Sequence, residues 1–220
     1  AAAVLVDKDG KVIKCVIDAM QSQFAFTAAS EITTTADTTF KTKNQLGDAY
    51  GMKSASAIKK ERDEQAAAFA SYVTGKTADQ IKNIAGRDGV ATDADLKSSV
   101  TVHIAPFQNA VLKAIANATD SGAKASDKLG LGIVGSANQT VQKATADSPA
   151  TAVAYNFYTA TTFDASGKIT SCIIDASQAK FEVKDGKIAT ALDAEIKTKN
   201  ELGDAYGMKK ASKIQKEWYE

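Results

Sequence analysis

An internal repeat constrains this chain more than any other feature of its sequence. The segment Lys41–Glu61 reads KTKNQLGDAYGMKSASAIKKE and the segment Lys197–Glu217 reads KTKNELGDAYGMKKASKIQKE, so 17 of 21 positions are identical. Self-similarity of this extent indicates that an ancestral structural unit was duplicated. We therefore expect a first repeat with a helical extension over residues 1–147 and a second, shorter repeat over residues 148–220.

A β-hairpin is predicted ahead of each repeated segment. The stretch Val6–Gln21 matches Phe163–Gln178, and each contains an apolar, β-branched run that follows a turn at Asp9-Gly10 or Ser166-Gly167. Helical patterns follow these hairpins along the chain. Strands that neighbour each other in sequence, followed by helices, favour the α+β class with antiparallel sheets. The duplication adds the expectation that the two units are pseudo-symmetric.

Local signals predict where individual elements begin. Thr42 and Thr198 each start a capping box, in which the Thr oxygen and a Gln or Glu side chain satisfy free amides at a helix start. Ser56 is predicted to cap a longer second helix. Val100–Ile104 alternates like a strand, and Lys180–Val183 is predicted to be a separate third strand of the second repeat.

Charge and residue usage exclude several classes of function. Lys plus Arg total 27 and Asp plus Glu total 26, which gives a formal net charge of +1. This balance argues against a nucleic-acid binder that neutralises phosphates. One His and two Cys provide no zinc-binding spacing, and no nucleophile–base arrangement is visible. We therefore expect a protein that binds rather than one that catalyses.

The repeated segment is also the best sequence candidate for a ligand-binding surface. Asn and Asp supply directed polar contacts, Lys supplies a charge, and Tyr supplies a flat apolar face with a hydroxyl. The candidate ligand-binding residues are Lys43, Asn44, Asp48 and Tyr50, with their counterparts Lys199, Asn200, Asp204 and Tyr206. The alternative is that capping Thr, terminating Gly and packed Tyr residues simply define a stable helix–turn–helix.

The two cysteines occupy matching strand positions. Cys15 and Cys172 have apolar neighbours, so they are either two small buried hydrophobic side chains or a redox pair, including a disulfide between the repeats.

The repeated pattern resembles that of a known group of bacterial proteins. The stretches Asp164–Gln178, Lys197–Ser212 and Lys216–Glu220 are similar to membrane-anchored lipoproteins of the major-membrane-immunogen type. This resemblance implies an extracytoplasmic binding module, tethered at the cell surface by a lipid anchor that this chain lacks. Its expected partner is a small molecule or a surface protein, with no nucleic acid and no other membrane contact.

That group is more distantly similar to FMN-binding domains of extracytoplasmic electron-transfer proteins. Some of those domains carry FMN on the Thr of a D-x-x-(S/T)-G-A-T motif. Here Asp95, Ser98 and Thr101 stand at the motif's spacing, while Ser99 and Val100 replace its Gly and Ala. The resemblance implies Thr101 as the FMN attachment residue and electron transfer as the alternative function, although a β-branched Val hinders close approach of a phosphate to the backbone.

Overall fold

The computed structural model describes residues 1–220 as a mixture of strands and helices. The strands are β1 (Ala2–Val6), β2 (Val12–Ile17), β3 (Thr39–Phe40), β4 (Gly86–Arg87), β5 (Val90–Ala91), β6 (Lys128–Ser136), β7 (Ala150–Phe163), β8 (Ile169–Lys184) and β9 (Lys187–Ile188). The α-helices are α1 (Lys43–Leu46), α2 (Arg62–Val73), α3 (Ala78–Lys82), α4 (Ala94–Lys97), α5 (Ala105–Ala116) and α6 (Lys199–Leu202). Short 3-10 helices lie at Gly47–Tyr50, Gly203–Tyr206 and Met208–Lys210. The predicted α+β class with antiparallel sheets is confirmed.

The first hairpin forms where the sequence predicts it. Strands β1 and β2 pair antiparallel, with Ala2 opposite Ile17. The Asp7 carboxylate accepts hydrogen bonds from the backbone N–H groups of Asp9 and Lys11, at 2.9 Å each. Gly10 takes a φ of 74°, a conformation in which glycine has no side-chain clash. The turn is therefore fixed by an Asp at its start and a Gly near its end.

A five-stranded sheet has the order β3-β6-β7-β8-β9. The hairpin between β7 and β8 repeats the turn chemistry of the first, because Asp164 accepts from the N–H groups of Ser166 and Lys168 at 2.9 and 3.0 Å. Strand β8 is longer than expected. The prediction of a separate strand at Lys180–Val183 is wrong, since these residues continue β8 to Lys184 without a break before the turn into β9.

The chain divides into two compact units, each built from several segments. Unit 1 comprises residues 1–19, 42–132 and 159–173, and unit 2 comprises residues 20–41, 133–158 and 174–220. In unit 1, helices α2 and α5 pack on the first hairpin around the buried side chains of Phe69, Val100, Ile104 and Val111. The smaller core of unit 2 centres on Ile32 and Val183. No helix combines the length and the apolar character that crossing a bilayer requires.

The predicted start of the long helix at Ser56 is wrong. Lys59 has a φ of 53°, which lies outside the right-handed helical region, so a helix cannot run through it. Helix α2 begins at Arg62 instead. Glu61 caps it, and Glu64 reaches back to the N–H of Glu61 at 2.7 Å. The Ser56 hydroxyl accepts a hydrogen bond from the Gln65 amide, so Ser56 contacts a side chain of α2 and does not cap the helix.

The predicted strand at Val100–Ile104 is also wrong, and a single side chain explains why. Gln65 is fully buried, and its Oε1 accepts hydrogen bonds from the backbone N–H groups of Thr101 and Val102 at 2.8 and 3.2 Å. Those two donors are therefore not available to a neighbouring strand. The alternating pattern of the segment instead reflects Val100 and Ile104 anchoring a loop in the core of unit 1.

Candidate functional site

Two closed loops carry the repeated segment, and we call residues 41–61 loop 1 and residues 197–217 loop 2. Both begin with the predicted capping box, formed by Thr42 with Gln45 and by Thr198 with Glu201. In both, a buried glutamate closes the loop. Glu61 accepts from the N–H groups of Met52 and Lys53, and Glu217 does the same for the matching residues of loop 2.

An aspartate anchors each loop: Asp18 directly follows β2, and Asp175 lies within β8. In unit 1, Asp18 Oδ1 accepts from the Asn44 N–H at 3.1 Å, and the Asn44 amide donates to the Ile17 carbonyl at 3.0 Å. In unit 2, Asp175 accepts from the Asn200 N–H at 3.1 Å, and the Asn200 amide donates to the Ile174 carbonyl at 3.2 Å. The two predicted site asparagines thus connect loop 1 to strand β2 and loop 2 to strand β8.

The anchors differ in one respect, which is the residue that follows the closing glutamate. In unit 1 this residue is Arg62, which is buried, lies 4.0 Å from the Asp18 carboxylate and donates to the Asn44 side-chain oxygen at 3.3 Å. Burial lowers the pKa of Arg62, while the negative charge of Asp18 acts in the opposite direction. In unit 2 the matching residue is Trp218.

Loop 2 holds a buried ammonium among aromatic rings. Lys199 is only 4% exposed, and its Nζ lies 4.8, 4.8 and 4.1 Å from the ring centroids of Tyr155, Tyr206 and Trp218. Its Nζ also donates to the Tyr155 hydroxyl at 2.7 Å. Burial by itself would lower the pKa of Lys199, but the hydrogen bonds from this ammonium to the two tyrosines outweigh burial, and the pKa is raised.

Loop 1 has a simpler version of the same arrangement. The half-buried Lys43 Nζ donates to the Tyr50 hydroxyl at 2.8 Å and lies 4.7 Å from that ring centroid. The predicted residues therefore come together as the pairs Lys43–Tyr50 and Lys199–Tyr206. The two predicted aspartates do not join these pairs. Asp48 is exposed with Lys53 3.7 Å away, and Asp204 accepts from the Tyr219 hydroxyl at 2.8 Å.

Unit 1 contains an open cavity of about 460 Å³ between strand β2 and helix α2. Of the eight predicted ligand-binding residues, Asn44 lines it. The remaining lining residues are Ile13, Lys14, Cys15, Val16, Ile17, Asp63, Ala67, Ala70, Ser71, Thr74 and Leu129. The walls thus combine small and aliphatic side chains with a few polar groups, as ligand sites commonly do. Sequence reasoning missed Asp63, because a first-turn acid on a helix ordinarily interacts with the helix dipole alone.

The cysteines are free in this structure, and their surroundings differ. Cys15 is half-buried in the cavity wall, and burial raises the pKa of its thiol to about 12. Cys172 is exposed, and its sulfur lies 3.5 Å from the Thr161 hydroxyl. The interpretation of two buried hydrophobic side chains therefore fits Cys15 better than Cys172. No group of three or more His, Cys, Asp or Glu side chains is arranged to hold a metal ion.

Thr101 has a structural role in its surroundings. Both its N–H and its hydroxyl donate to the buried Gln65 Oε1, at 2.8 and 3.4 Å. The preceding Val100 is completely buried, and its β-branched side chain stands where the FMN-binding motif has a small Ala. Thr101 does not line the cavity described above. These residues do not fit an attached flavin.

Comparison with protein-family models, with curated proteins and with solved structures finds no match to this chain.

Proposed function

We propose that this chain is an extracytoplasmic, lipoprotein-like binding module that holds a small ligand without transforming it. The single observation that carries the proposal is the cavity of about 460 Å³ in unit 1, with Asn44 of loop 1 in its wall. That volume is in the range of small-molecule sites. The ligand would contact the aliphatic floor of the cavity and a small number of polar side chains at its wall.

The chemistry of the cavity supports binding over nucleophilic catalysis. The thiolate is the reactive form of cysteine, and a thiol with a pKa of about 12 is protonated at neutral pH. Cys15 therefore contributes a small apolar group to the wall. Lys14, the other reactive residue type on β2, donates its Nζ hydrogen bond to the Asp127 carbonyl.

We also propose that the whole unit was duplicated, with the repeat boundary at residues 147/148. It is supported by the matched anchors Asp18 and Asp175 and by the matched closing residues Glu61 and Glu217. An experimentally determined structure in which residues 3–64 and 160–220 superpose along the backbone is the expected result. Divergent backbone paths would reject the pseudo-symmetry.

A thermal-shift screen against a library of small metabolites tests the binding function. A ligand at 100 times its Kd stabilises the folded state by about 2.7 kcal/mol. We expect Ala67→Phe, which fills the cavity from α2, to abolish the shifts. The matched control is Ala49→Phe, which places the same ring on the exposed 3-10 helix of loop 1. Shifts that persist in Ala67→Phe would reject this cavity as the site.

The predicted role of the loop tyrosines has its own test. Tyr50→Ala and Tyr206→Ala should abolish the ligand-dependent shifts if these residues bind the ligand. Variants that only lose stability would instead establish the helix–turn–helix interpretation, in which each tyrosine contacts the lysine of its own loop.

An FMN-carrying electron-transfer protein is the alternative function. Its basis is the resemblance of the Asp95–Thr101 segment, and the burial of Val100 and the hydrogen bonds from Thr101 to Gln65 weigh against it. Visible absorbance and intact mass of the protein produced with a flavin-transferring enzyme test it. Flavin colour and an FMN mass increment that disappear in Thr101→Val would establish it, and their absence from the parent protein would reject it.

A further inference from the structure

The outer edge of strand β1 has main-chain groups without hydrogen-bond partners. The sheet of β1 and β2 contains only these two strands, so each has one edge that no strand covers. Ala1 exchanges two hydrogen bonds with Asp18, and such pairs alternate with non-bonded pairs along an antiparallel ladder. Val4 is three residues farther on, so its pair with Cys15 is a non-bonded one. The N–H and C=O of Val4 therefore point away from β2, and no group of the protein bonds to them.

Val6 has the same orientation. It lies opposite Val12, whose N–H and C=O bond on the far side of β2 to the Lys76 carbonyl and the Gly75 N–H, at 3.0 and 2.7 Å. Val6 therefore also directs its main-chain groups away from the hairpin, and they too have no partner. The segment after α2 thus covers the free edge of β2, whereas the edge of β1 stays open.

A groove of about 340 Å³, which we call the β1 groove, runs along this open edge. Residues 4–8 line it and no residue of β2 does, although side chains of consecutive strand residues point to opposite faces. The groove therefore follows the main-chain edge of β1. Its other walls are one face of the β7–β8 hairpin and residues 118–121, which are connected by the hydroxyls of Ser121 and Ser171, 2.5 Å apart. All of these residues belong to unit 1.

The β1 groove combines main-chain donors and acceptors with aliphatic walls. The free groups at Val4 and Val6 match the main chain of an added strand, because strands bond through alternate residues. Leu5, Leu129 and Ile173 provide apolar surface for a side chain. Apart from a bulge between Leu5 and Val6, β1 has neither a charged residue nor a proline, which commonly protect a strand edge. This chemistry is that of a strand-addition site.

We propose that the β1 groove binds a short extended peptide, which pairs with Val4 and Val6 as an added strand and directs an aliphatic side chain at Leu129 and Ile173. A strand opposite residues 4–6 spans about 7 Å, so the groove takes about three residues. An interface between two copies needs about 20–30 residues a side, so the short walled edge favours a peptide over a second copy. The groove shares only Leu129 with the cavity between β2 and α2, and this inference goes beyond the proposed small-ligand function.

The probe is the capped tripeptide acetyl-Val-Leu-Val-N-methylamide, and its control is the same peptide with every main-chain N–H methylated. Each is titrated into the full chain while amide NMR signals and amide hydrogen exchange are followed. At 10 times its Kd, the probe should shift the Val4 and Val6 signals and slow their exchange about 10-fold. Ala3 and Leu5, which already bond to β2, are the internal references. The methylated peptide should bind about 10-fold more weakly, because it cannot donate to the edge.

Two variants locate the binding. Ala160→Phe places a ring in the β1 groove from β7 and should abolish the changes at Val4 and Val6. Ala125→Phe is the matched control at an exposed residue outside the groove, and it should leave them unchanged. Ala67→Phe, which fills the other cavity, should also leave peptide binding unchanged, so the two sites are tested separately.

Each outcome decides the inference. Equal affinities of the probe and its methylated form would overturn main-chain pairing, and unchanged Val4 and Val6 signals at millimolar probe would overturn the site. Binding that persists in folded Ala160→Phe would overturn its location. Protection of Val4 and Val6 that rises with protein concentration without probe, together with a dimer in sedimentation velocity, would overturn the peptide in favour of a second copy. If circular dichroism shows that Ala160→Phe does not fold, the two peptides compared on the parent protein still decide.

Discussion

The ammonium nitrogen of Lys199 lies 4.1 Å from the centroid of the Trp218 ring. The matching pair in unit 1 is Lys43 and Arg62, which are both cations. Two cations cannot stabilise each other in this way, so Lys43 instead interacts with Tyr50, and Arg62 interacts with Asp18, Asn44 and Phe107. The replacement of Arg62 in unit 1 by Trp218 in unit 2 thus accompanies different partners for the loop lysine in each unit.

Trp218→Ala should destabilise unit 2. The variant removes a cation–π contact with a buried ammonium and a ring contact with Phe157, whose centroid lies 6.1 Å away. We expect a loss of about 2 kcal/mol in the free energy of unfolding, measured by urea denaturation with circular dichroism. Ile214→Ala, at a position that is 73% exposed, is the control and should change little. Equal stability of both variants would mean that the Trp218 ring contributes nothing to the free energy of unfolding.

The alkaline stability of the protein should depend on Lys199. Its pKa is raised in the folded state, so its contribution is fully present below the unfolded pKa of about 10.4 and is lost as the pH rises through the folded pKa. We expect the unfolding free energy of the parent protein to fall above this range more steeply than that of Lys199→Met. Exposed Lys213→Met should follow the parent. Parallel curves for the parent and Lys199→Met would contradict the prediction.

Removing the charge of the two anchoring aspartates should have unequal effects. Asp18→Asn keeps an acceptor for the Asn44 N–H but leaves the buried Arg62 without its carboxylate, so we expect a loss of about 2 kcal/mol. Asp175→Asn keeps the acceptor for Asn200 and faces no such arginine, so we expect a loss of about 0.5 kcal/mol. The two losses come from denaturant unfolding, and losses of the same size would show that Arg62 does not rely on Asp18.

The two thiols should react at very different rates. Cys172 is exposed, whereas burial raises the pKa of Cys15 to about 12, so Cys15 forms little thiolate at pH 8. Intact-mass analysis with iodoacetamide should show one rapid modification in the folded protein and a second one only in denaturant. Cys172→Ser should eliminate the rapid modification. Rapid labelling of Cys15 in that variant would contradict the raised pKa of its thiol.

Local chemistry along the chain was the most predictable part of the fold. The Asp-Gly turn at Asp9, the capping boxes at Thr42 and Thr198, and the β-branched hairpin strands all form as predicted. Each depends on side chains that act on backbone groups a few residues away. The error at Val100–Ile104 arises where a distant residue decides the outcome, because Gln65 binds that segment from α2. The error at Ser56 arises from the positive φ of Lys59 and the cap at Glu61.

The candidate site was predictable only in part. The repeat directs attention to the loops and to Asn44, which does line the cavity. Asp63 carries no motif, and its place in the cavity wall follows from the packing of α2 on β2. The aromatic surroundings of Lys199 likewise require Tyr155, which stands 44 positions away on β7. Neither feature has a sequence signal, because both arise from contacts between separate elements.

The sequence by itself determined the α+β class, the hairpin turns and the capped starts of the repeated loops, since these depend on periodicity and on nearest-neighbour hydrogen bonding. Only the tertiary structure decided which lysine is buried, which asparagines anchor loops, and where a cavity opens beside helix α2. Burial and contacts between residues far apart in the chain are properties of three-dimensional packing. Two nearly identical segments can therefore share their backbone hydrogen bonds and still place their charges in different surroundings.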